Sequence, residues 1–412
     1  AGRCAGGLRL RPPGKAADGP QAISVLTTLE ELRGFEETTG RRRPSGAAYS
    51  RDFRGPNWLD KRRATAAYDD RDPAVLVVGG GQAGLSIAAR LTQLGIDTLI
   101  VDREARIGDN WRKRYHALTL HNQVHVNHLP YMPFPPTWPV YIPKDMLAAW
   151  FEAYAEALEL NFWTGAEFLG GRYDDTDGRW TVDLKHGDGS KRQLRPRHIV
   201  MATGVSGIPQ LPQIPSLKAF KGRQQHSSRF DDSSTWSGRR AIVIGSGTSG
   251  HAIAPELHSH GAQVTLVQRS PTTIVNIEPS AQLPYTLYDE GPPLDDCDLL
   301  AAATPYQLLK RSHQLLTAEA ARFDRELLDG LTRAGFKVDF DDKTGWQFKY
   351  LNRGGGYYFN VGCSDLIVKG EIGLVQYDDI STFVAQRARL KDGSLLNADL
   401  VVLATGYKGQ QE

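Results

Sequence analysis

Two doubly wound α/β domains, each built on a parallel sheet, are predicted by three observations on this 412-residue chain. A glycine-rich turn of one pattern occurs twice, each copy is entered by an apolar strand and left by a helix, and each is followed by a second strand at similar distance. The first turn is Gly79-Gly80-Gly81-Gln82-Ala83-Gly84, after Ala74-Val75-Leu76-Val77-Val78. The second is Gly245-Ser246-Gly247-Thr248-Ser249-Gly250, after Ala241-Ile242-Val243-Ile244.

Glycines at this spacing serve a tight turn, a close backbone approach to a pyrophosphate, and close packing of helix on strand. The diphosphate then sits on the free amides and positive end of the helix. After Gly84 an apolar helix pattern (Leu85, Ile87, Ala88, Leu91, Leu94) stops at Gly95, and the strand Thr98-Leu99-Ile100-Val101 ends at Asp102. A carboxylate there accepts ribose hydroxyls. After Gly250 the same layout runs to Val264-Thr265-Leu266-Val267 but ends Gln268-Arg269-Ser270. Arg269 suits a 2′-phosphate that an acid would repel. The first turn therefore reads as a site for an adenine dinucleotide with a free ribose, and the second as a site for NADP.

Composition narrows the class. With 40% hydrophobic residues the chain can bury a large core, and its net charge of +2 gives no reason to expect nucleic acid. No apolar run reaches membrane-spanning length, so a soluble, cytoplasmic protein without a membrane partner is expected. Cys4, Cys297 and Cys363 stand far apart, which fits a reducing compartment and excludes the CxxC pair of a disulfide reductase. His116, His121, His125 and His128 lie close together, but no Cys or paired carboxylate joins them and no metal is expected.

Along the chain, residues 1–72 differ in composition, with only 26–37 mildly helical, and read as an N-terminal extension or linker. Residues 73–215 read as the first part of the first nucleotide domain, and 216–377 as the second domain with a helical insertion at about 305–334. A helix is expected over 146–160, an antiparallel meander over 161–197 with turns at Gly170-Gly171, Asp177-Gly178 and Asp188-Gly189, and a hairpin over 380–395 turning at Lys391-Asp392-Gly393. Two apolar strands, at 198–201 and 400–403, each end in Ala-Thr-Gly. Residues 378–412 are accordingly expected to return to the first domain and to leave it incomplete. The chain opens at Ala1 rather than Met and stops five residues after Tyr407, so both ends read as cut, and an inactive nucleotide-binding remnant is the alternative of another class.

Phe220-Lys221-Gly222-Arg223-Gln224-Gln225-His226-Ser227-Ser228-Arg229-Phe230 spells FxGxxxHxxxF between the two turns, and Ala404-Thr405-Gly406-Tyr407 spells ATGY. In this order the motifs resemble those of the class B flavoprotein mono-oxygenases. The stretch Trp111-Arg112-Lys113-Arg114-Tyr115-His116-Ala117-Leu118-Thr119-Leu120-His121 is similar to the WxxRYxxLxLH segment of the YUCCA-type enzymes and their bacterial relatives.

The resemblance implies two Rossmann-type domains, the NADP domain inserted in the FAD domain, with FAD at the first turn and NADPH at the second. It implies one oxygen atom of O₂ delivered to a small organic molecule through a flavin (hydro)peroxide, with the protein positioning cofactors and excluding water. Gly79, Gly81, Gln82, Ala83, Gly84, Asp102 and Trp111 would hold FAD. Gly245, Gly247, Thr248, Ser249, Gly250, Arg269 and Ser270 would hold NADPH. His121, Arg114 and His226 would form the catalytic set, a hydrogen-bonded interdomain role for His226 being the alternative. His121 stands where drug-metabolising relatives carry Asn, which favours the YUCCA-type branch and oxidative decarboxylation of a 2-oxo acid. Baeyer–Villiger and N- or S-oxygenation stay open.

Overall fold

All four residues of the strand Val75–Val78 are buried, as the centre of a parallel sheet requires. The computed structural model describes residues 2–4, 8–10, 23–25, 53–230, 232–340 and 344–409. The chain divides into Ala1–Lys61 and Arg62–Glu412. In the first unit Gly2–Cys4, Leu8–Leu10 and Ile23–Val25 pair as a small antiparallel sheet, and the helix expected at 26–37 lies outside the described residues.

Besides a two-stranded parallel pair, Thr273–Asn276 with Tyr357–Asn360, the described residues of the second unit form two larger all-parallel sheets. The first has the order His198–Met201, Val75–Val78, Thr98–Val101, Asn161–Trp163. The second has the order Arg223–His226, Leu400–Leu403, Arg240–Ile244, Gln263–Gln268, Gly373–Gln376. In each, a helix crosses between two neighbouring strands: Gln82–Gln93 from Val75–Val78 to Thr98–Val101, and Thr248–Ser259 from Arg240–Ile244 to Gln263–Gln268.

Alternation of side chains gives each sheet two apolar faces. On one face of the first sheet Val75, Val77 and Ile100 pack against Leu85 and Ala88 of the crossover helix and Phe151 and Tyr154 of the helix Lys144–Ala157. On the other, Leu76, Val78, Leu99 and Val101 pack against Val182, Leu184 and Leu194 of the meander Ala166–Asp174, Arg179–His186 and Lys191–Leu194. The second sheet repeats this: Ala241, Val243 and Leu266 meet Ile253 and Leu257, and Ile242, Ile244 and Val401 meet Phe383 and Ala388. Each fully buried Leu or Ile contributes about 1.5–3 kcal/mol.

Three expectations are corrected here. A doubly wound sheet carries helices on both faces, whereas each of these sheets has helices on one face and a three-stranded antiparallel meander on the other. The strand Leu400–Leu403 does not rejoin the first sheet; it lies between Arg223–His226 and Arg240–Ile244 in the second, just as His198–Met201 closes the first beside Val75–Val78. Its meander, Ile380–Val384, Arg387–Leu390 and Leu395–Asn397, covers the second sheet as well. The two Ala-Thr-Gly strands thus each end their own half. Gly170-Gly171 is not a turn but lies within the strand Ala166–Asp174, where the pairing register slips by one residue.

The helical insertion is larger than expected, with Leu294–Ala303, Tyr306–Phe323 and Arg325–Arg333 in sequence. Among the described residues no helix is long and apolar enough to cross a membrane.

Candidate active site between the two dinucleotide folds

The first glycine turn is shaped by contacts that leave no room for side chains. Gly79 has φ +108°, and a Cβ on it would sit 2.3 Å from the Ala202 carbonyl oxygen. A Cβ on Gly84 would sit 1.9 Å from the Gly79 carbonyl oxygen, and one on Gly80 would meet the Phe162 ring. The strand can therefore turn sharply into Gln82–Gln93, whose first-turn amides at Gln82, Ala83 and Gly84 have no carbonyl behind them within the helix. Asp102 borders this cradle: Oδ2 accepts the Gly80 N–H at 2.6 Å and Oδ1 the Glu104 N–H at 2.9 Å. Trp111, on the short helix Asp109–Arg112, packs on the first core, and its buried indole N–H has no acceptor among the described residues. A closed glycine cradle, a carboxylate at its edge and an orphan ring donor fit a flavin dinucleotide.

The second turn repeats the geometry. Gly245 has φ +120° with a Cβ position 2.1 Å from the Ala404 carbonyl oxygen, and Gly250 has one 1.9 Å from the Gly245 carbonyl oxygen. Around Gly247 the space is open to 4 Å, and Thr248 donates to the Tyr357 carbonyl at 3.4 Å. Val78 pairs with Val101 and Ile244 with Val267, so the residue matching Asp102 is Gln268 rather than Arg269. Gln268 is buried and hydrogen-bonded at both ends of its amide: its Oε1 accepts from the Lys337 N–H at 2.8 Å and from Gln376 Nε2 at 3.1 Å, and its Nε2 donates to the Lys337 carbonyl at 3.0 Å. Arg269 and Ser270 follow, both exposed. A neutral amide where the other fold has an acid, with an exposed guanidinium next to it, fits a nucleotide bearing a 2′-phosphate.

The three residues expected to act together fall into two groups. Arg114 and His226 meet through the Ala404-Thr405-Gly406-Tyr407 turn: Arg114 donates to the Tyr407 hydroxyl at 2.9 Å and to the Ser206 carbonyl at 3.3 Å, and Tyr407 stands edge-on to the His226 ring at 5.4 Å. His226 Nδ1 accepts the Ser228 N–H at 3.1 Å, which places the proton on Nε2, donating to the Gly406 carbonyl at 3.1 Å. Burial holds its pKa below the ordinary imidazole range. With both nitrogens engaged within the protein, His226 braces the turn. The motif around it is likewise built for packing: Phe220 and Phe230 are buried, and a Cβ on Gly222 would strike the Phe220 ring and the Asp399 carbonyl.

His121 lies on the strand Thr119–Gln123, with its ring 5.7 Å from that of Phe359. Burial lowers its pKa to about 4, so the ring is neutral at ordinary pH. Opposite it the turn Ser280–Tyr285 of the second half supplies residues that sequence reasoning missed. Asn122 donates to the Tyr285 hydroxyl at 2.7 Å, and Gln282 Nε2 donates to the His121 carbonyl at 3.3 Å. Further along, Tyr141 donates to Glu278 at 2.6 Å, His125 lies 3.0 Å from Asp289 and His128 lies 3.0 Å from Asp298. Glu256, buried on the second dinucleotide helix, accepts the Ala117 N–H at 3.1 Å and the Ser233 hydroxyl at 2.9 Å. The segment 114–141 of the first half is thus fastened to the second at several points, and His121 lies among them.

Comparison with known proteins shows the family and the fold. The family model described as "Pyridine nucleotide-disulphide oxidoreductase" matches residues 76–287. The indole-3-pyruvate monooxygenase YUCCA1 of Oryza sativa subsp. japonica is 30% identical over 352 residues, covering 85% of this chain and 80% of its own. The probable indole-3-pyruvate monooxygenase YUCCA4 of Arabidopsis thaliana is 29% identical, covering 82% and 76%. The chain belongs to the class B flavin mono-oxygenases. Proteins of this class use FAD and NADPH. The fold of this flavin mono-oxygenase is shared with a flavin-containing monooxygenase from Stenotrophomonas maltophilia (TM-score 0.56, 20% identity, covering 83% of this chain and 80% of that one). It is shared too with a steroid monooxygenase bound to NADP (TM-score 0.62, 16% identity, covering 82% and 71%).

Proposed function

We propose that this chain oxidises NADPH and places one atom of O₂ on a small organic substrate, a 2-oxo acid being the first candidate. The observation that carries the reading is the pair of glycine cradles closed by the same carbonyl contact, with Asp102 at the edge of one and neutral Gln268 beside exposed Arg269 at the other. The 2-oxo acid is supported by the relatives at about 30% identity, which are indole-3-pyruvate monooxygenases by name. Its reaction balances as R-CO-COOH + O₂ + NADPH + H⁺ giving R-COOH + CO₂ + NADP⁺ + H₂O.

Bound FAD supplies the two-electron acceptor and the centre at which oxygen is activated. The chain's own residues hold, orient and shield. Gly79, Gly81 and Gly84 leave backbone room for one diphosphate, the Gln82 and Ala83 amides face it, Asp102 takes the ribose, and the Trp111 indole N–H is left to the ring system. Gly245, Gly247, Gly250, Thr248 and Ser249 form the matching bed for NADPH, whose 2′-phosphate Arg269 and Ser270 receive. His121, neutral and flanked by Phe359, faces the substrate. Arg114, Tyr407 and His226 hold the 404–407 turn in place. Buried unpaired Cys297 and Cys363 fit a cytoplasmic location.

Purified protein should carry FAD, and indole-3-pyruvate should accelerate NADPH and O₂ consumption with equal release of CO₂. Consumption that yields only hydrogen peroxide with every 2-oxo acid tried would overturn the substrate reading; protein that binds neither nucleotide would overturn the whole.

A further inference from the structure

Among the described residues, nothing donates to the buried side-chain oxygen of Gln282. Only 8% of the residue is exposed. Its Nε2 donates to the Ile277 carbonyl at 2.9 Å and to the His121 carbonyl at 3.3 Å. Both partners are carbonyl oxygens, which accept only, so the amide cannot be turned around and Oε1 must point the other way. That oxygen is buried without a donor. A buried amide oxygen left unpaired forfeits its hydration with nothing in return, and such atoms in folded proteins call for an explanation. Here the surroundings supply one. Gln282 stands on the turn Ser280–Tyr285, bound to the backbone of the very residue whose ring faces the substrate, while the neighbouring Asn122 amide is already spent on Tyr285.

We infer that Gln282 is a specificity-determining residue whose Oε1 accepts a hydrogen bond from an N–H group brought into the crevice beside His121. This rests on the reading of that crevice as the place where substrate meets cofactor. Two N–H donors can reach such a position: a ring N–H on the substrate, as in an indole, and the carboxamide of the nicotinamide. The chemistry at Gln282 is the same for both. A site built to pair a donor discriminates steeply against an analogue that lacks it, because the protein's own polar atom is then stranded.

Indole-3-pyruvate, its N1-methyl analogue and phenylpyruvate give one arm of the test on the wild-type enzyme, and anaerobic titration with NADPH gives the other on wild type and Gln282→Met. If the donor is the substrate's, wild type should favour indole-3-pyruvate over the N-methyl compound by about 10- to 100-fold in kcat/KM, and Gln282→Met should abolish that preference while reducing its flavin with NADPH normally. A nicotinamide donor should instead show as about 10-fold weaker NADPH binding in Gln282→Met, with no discrimination among the three acids. The wild-type enzyme covers the case in which the methionine variant fails to fold: preference among the three acids reads a substrate donor, and about 10-fold weaker binding of the 3-acetylpyridine analogue of NADPH, which lacks the carboxamide N–H, reads a nicotinamide donor. The inference falls if the wild-type enzyme treats the three acids alike and binds both nucleotides alike, or if Gln282→Met folds and keeps every preference of the wild type. A wild type that oxidises NADPH but none of the acids defeats the 2-oxo acid reading alone, and the NADPH arm still decides the role of Gln282.

Discussion

Acidification from pH 7.5 to 5 should weaken the fold by about 2 kcal/mol through His251 alone. This residue follows Gly250 on the second dinucleotide helix and is 0% exposed. Its ring stacks on Tyr358 at 4.2 Å, meets Phe336 edge-on at 5.8 Å, and leaves Nε2 buried without a partner among the described residues. Desolvation lowers its pKa from 6.5 to about 4, against smaller opposing hydrogen bonds to the Gly247 and Ser246 carbonyls. The unfolded imidazole takes up a proton as the pH falls through 6.5, whereas the folded one does so only near 4. Between these values the unfolded state holds more protons, so stability is full above pH 6.5 and declines as pH falls. At pH 5 the difference spans about 1.5 pH units at about 1.36 kcal/mol each, hence about 2 kcal/mol. Urea unfolding followed by tryptophan fluorescence at pH 7.5, 6 and 5 would measure it in wild type and His251→Phe. Phenylalanine keeps a ring against Tyr358 but cannot be protonated, and every other titrating group is common to both proteins. The decline between pH 7.5 and 5 should be about 2 kcal/mol smaller in the variant. Equal declines would show that His251 is not held neutral by burial.

The two cradles make separable predictions. Gly245→Ala places a Cβ 2.1 Å from the Ala404 carbonyl at a φ of +120°, so it should abolish flavin reduction by NADPH while FAD stays bound; Gly79→Ala, with the Ala202 carbonyl at 2.3 Å, should yield protein without flavin, as absorbance at the flavin band will show. Arg269→Ala should raise the KM for NADPH about 10- to 100-fold, the worth of a charge-assisted contact, and leave NADH kinetics unchanged. An equal loss with both nucleotides would remove Arg269 from the 2′-phosphate. Because His121 has a pKa of about 4, kcat/KM between pH 5.5 and 8 should show no ionisation that disappears in His121→Asn.

Much of the fold was legible because buried parallel strands are continuous apolar runs. Val75–Val78, Thr98–Val101 and Arg240–Ile244 stand out for that reason, and the glycine turns between strand and helix locate both cradles. Sheet membership was not legible. Nothing in Leu400–Leu403 tells which of two similar sheets it joins; that is decided by the meander ahead of it, whose Phe383 and Ala388 cover Ile242 and Ile244. Gly170-Gly171 looks like a turn because glycine pairs serve turns and bulges equally. At the candidate site the glycines, Asp102 and Trp111 follow from spacing and motif. Gln268 was passed over for Arg269 because a one-residue register is visible only in the pairing of Ile244 with Val267. Gln282 and Tyr285 have no signal in sequence at all, since a polar side chain in a short turn reads as solvated until the opposite wall is seen.

The carbonyl of Ala404 that closes the second cradle stands 159 positions after Gly245, and that of Ala202 stands 123 positions after Gly79. Each pocket is therefore sealed by the last strand of its own half, long after its glycine turn has left the ribosome. Pairings so distant in sequence form late, because loop closure must precede any gain from them. A newborn chain should acquire its grip on flavin once about residue 202 is free, and its grip on the reductant only when residue 404 has emerged. On the proposed assignment of the two cradles, flavin would be gripped before the reductant, in the order in which the two halves leave the ribosome.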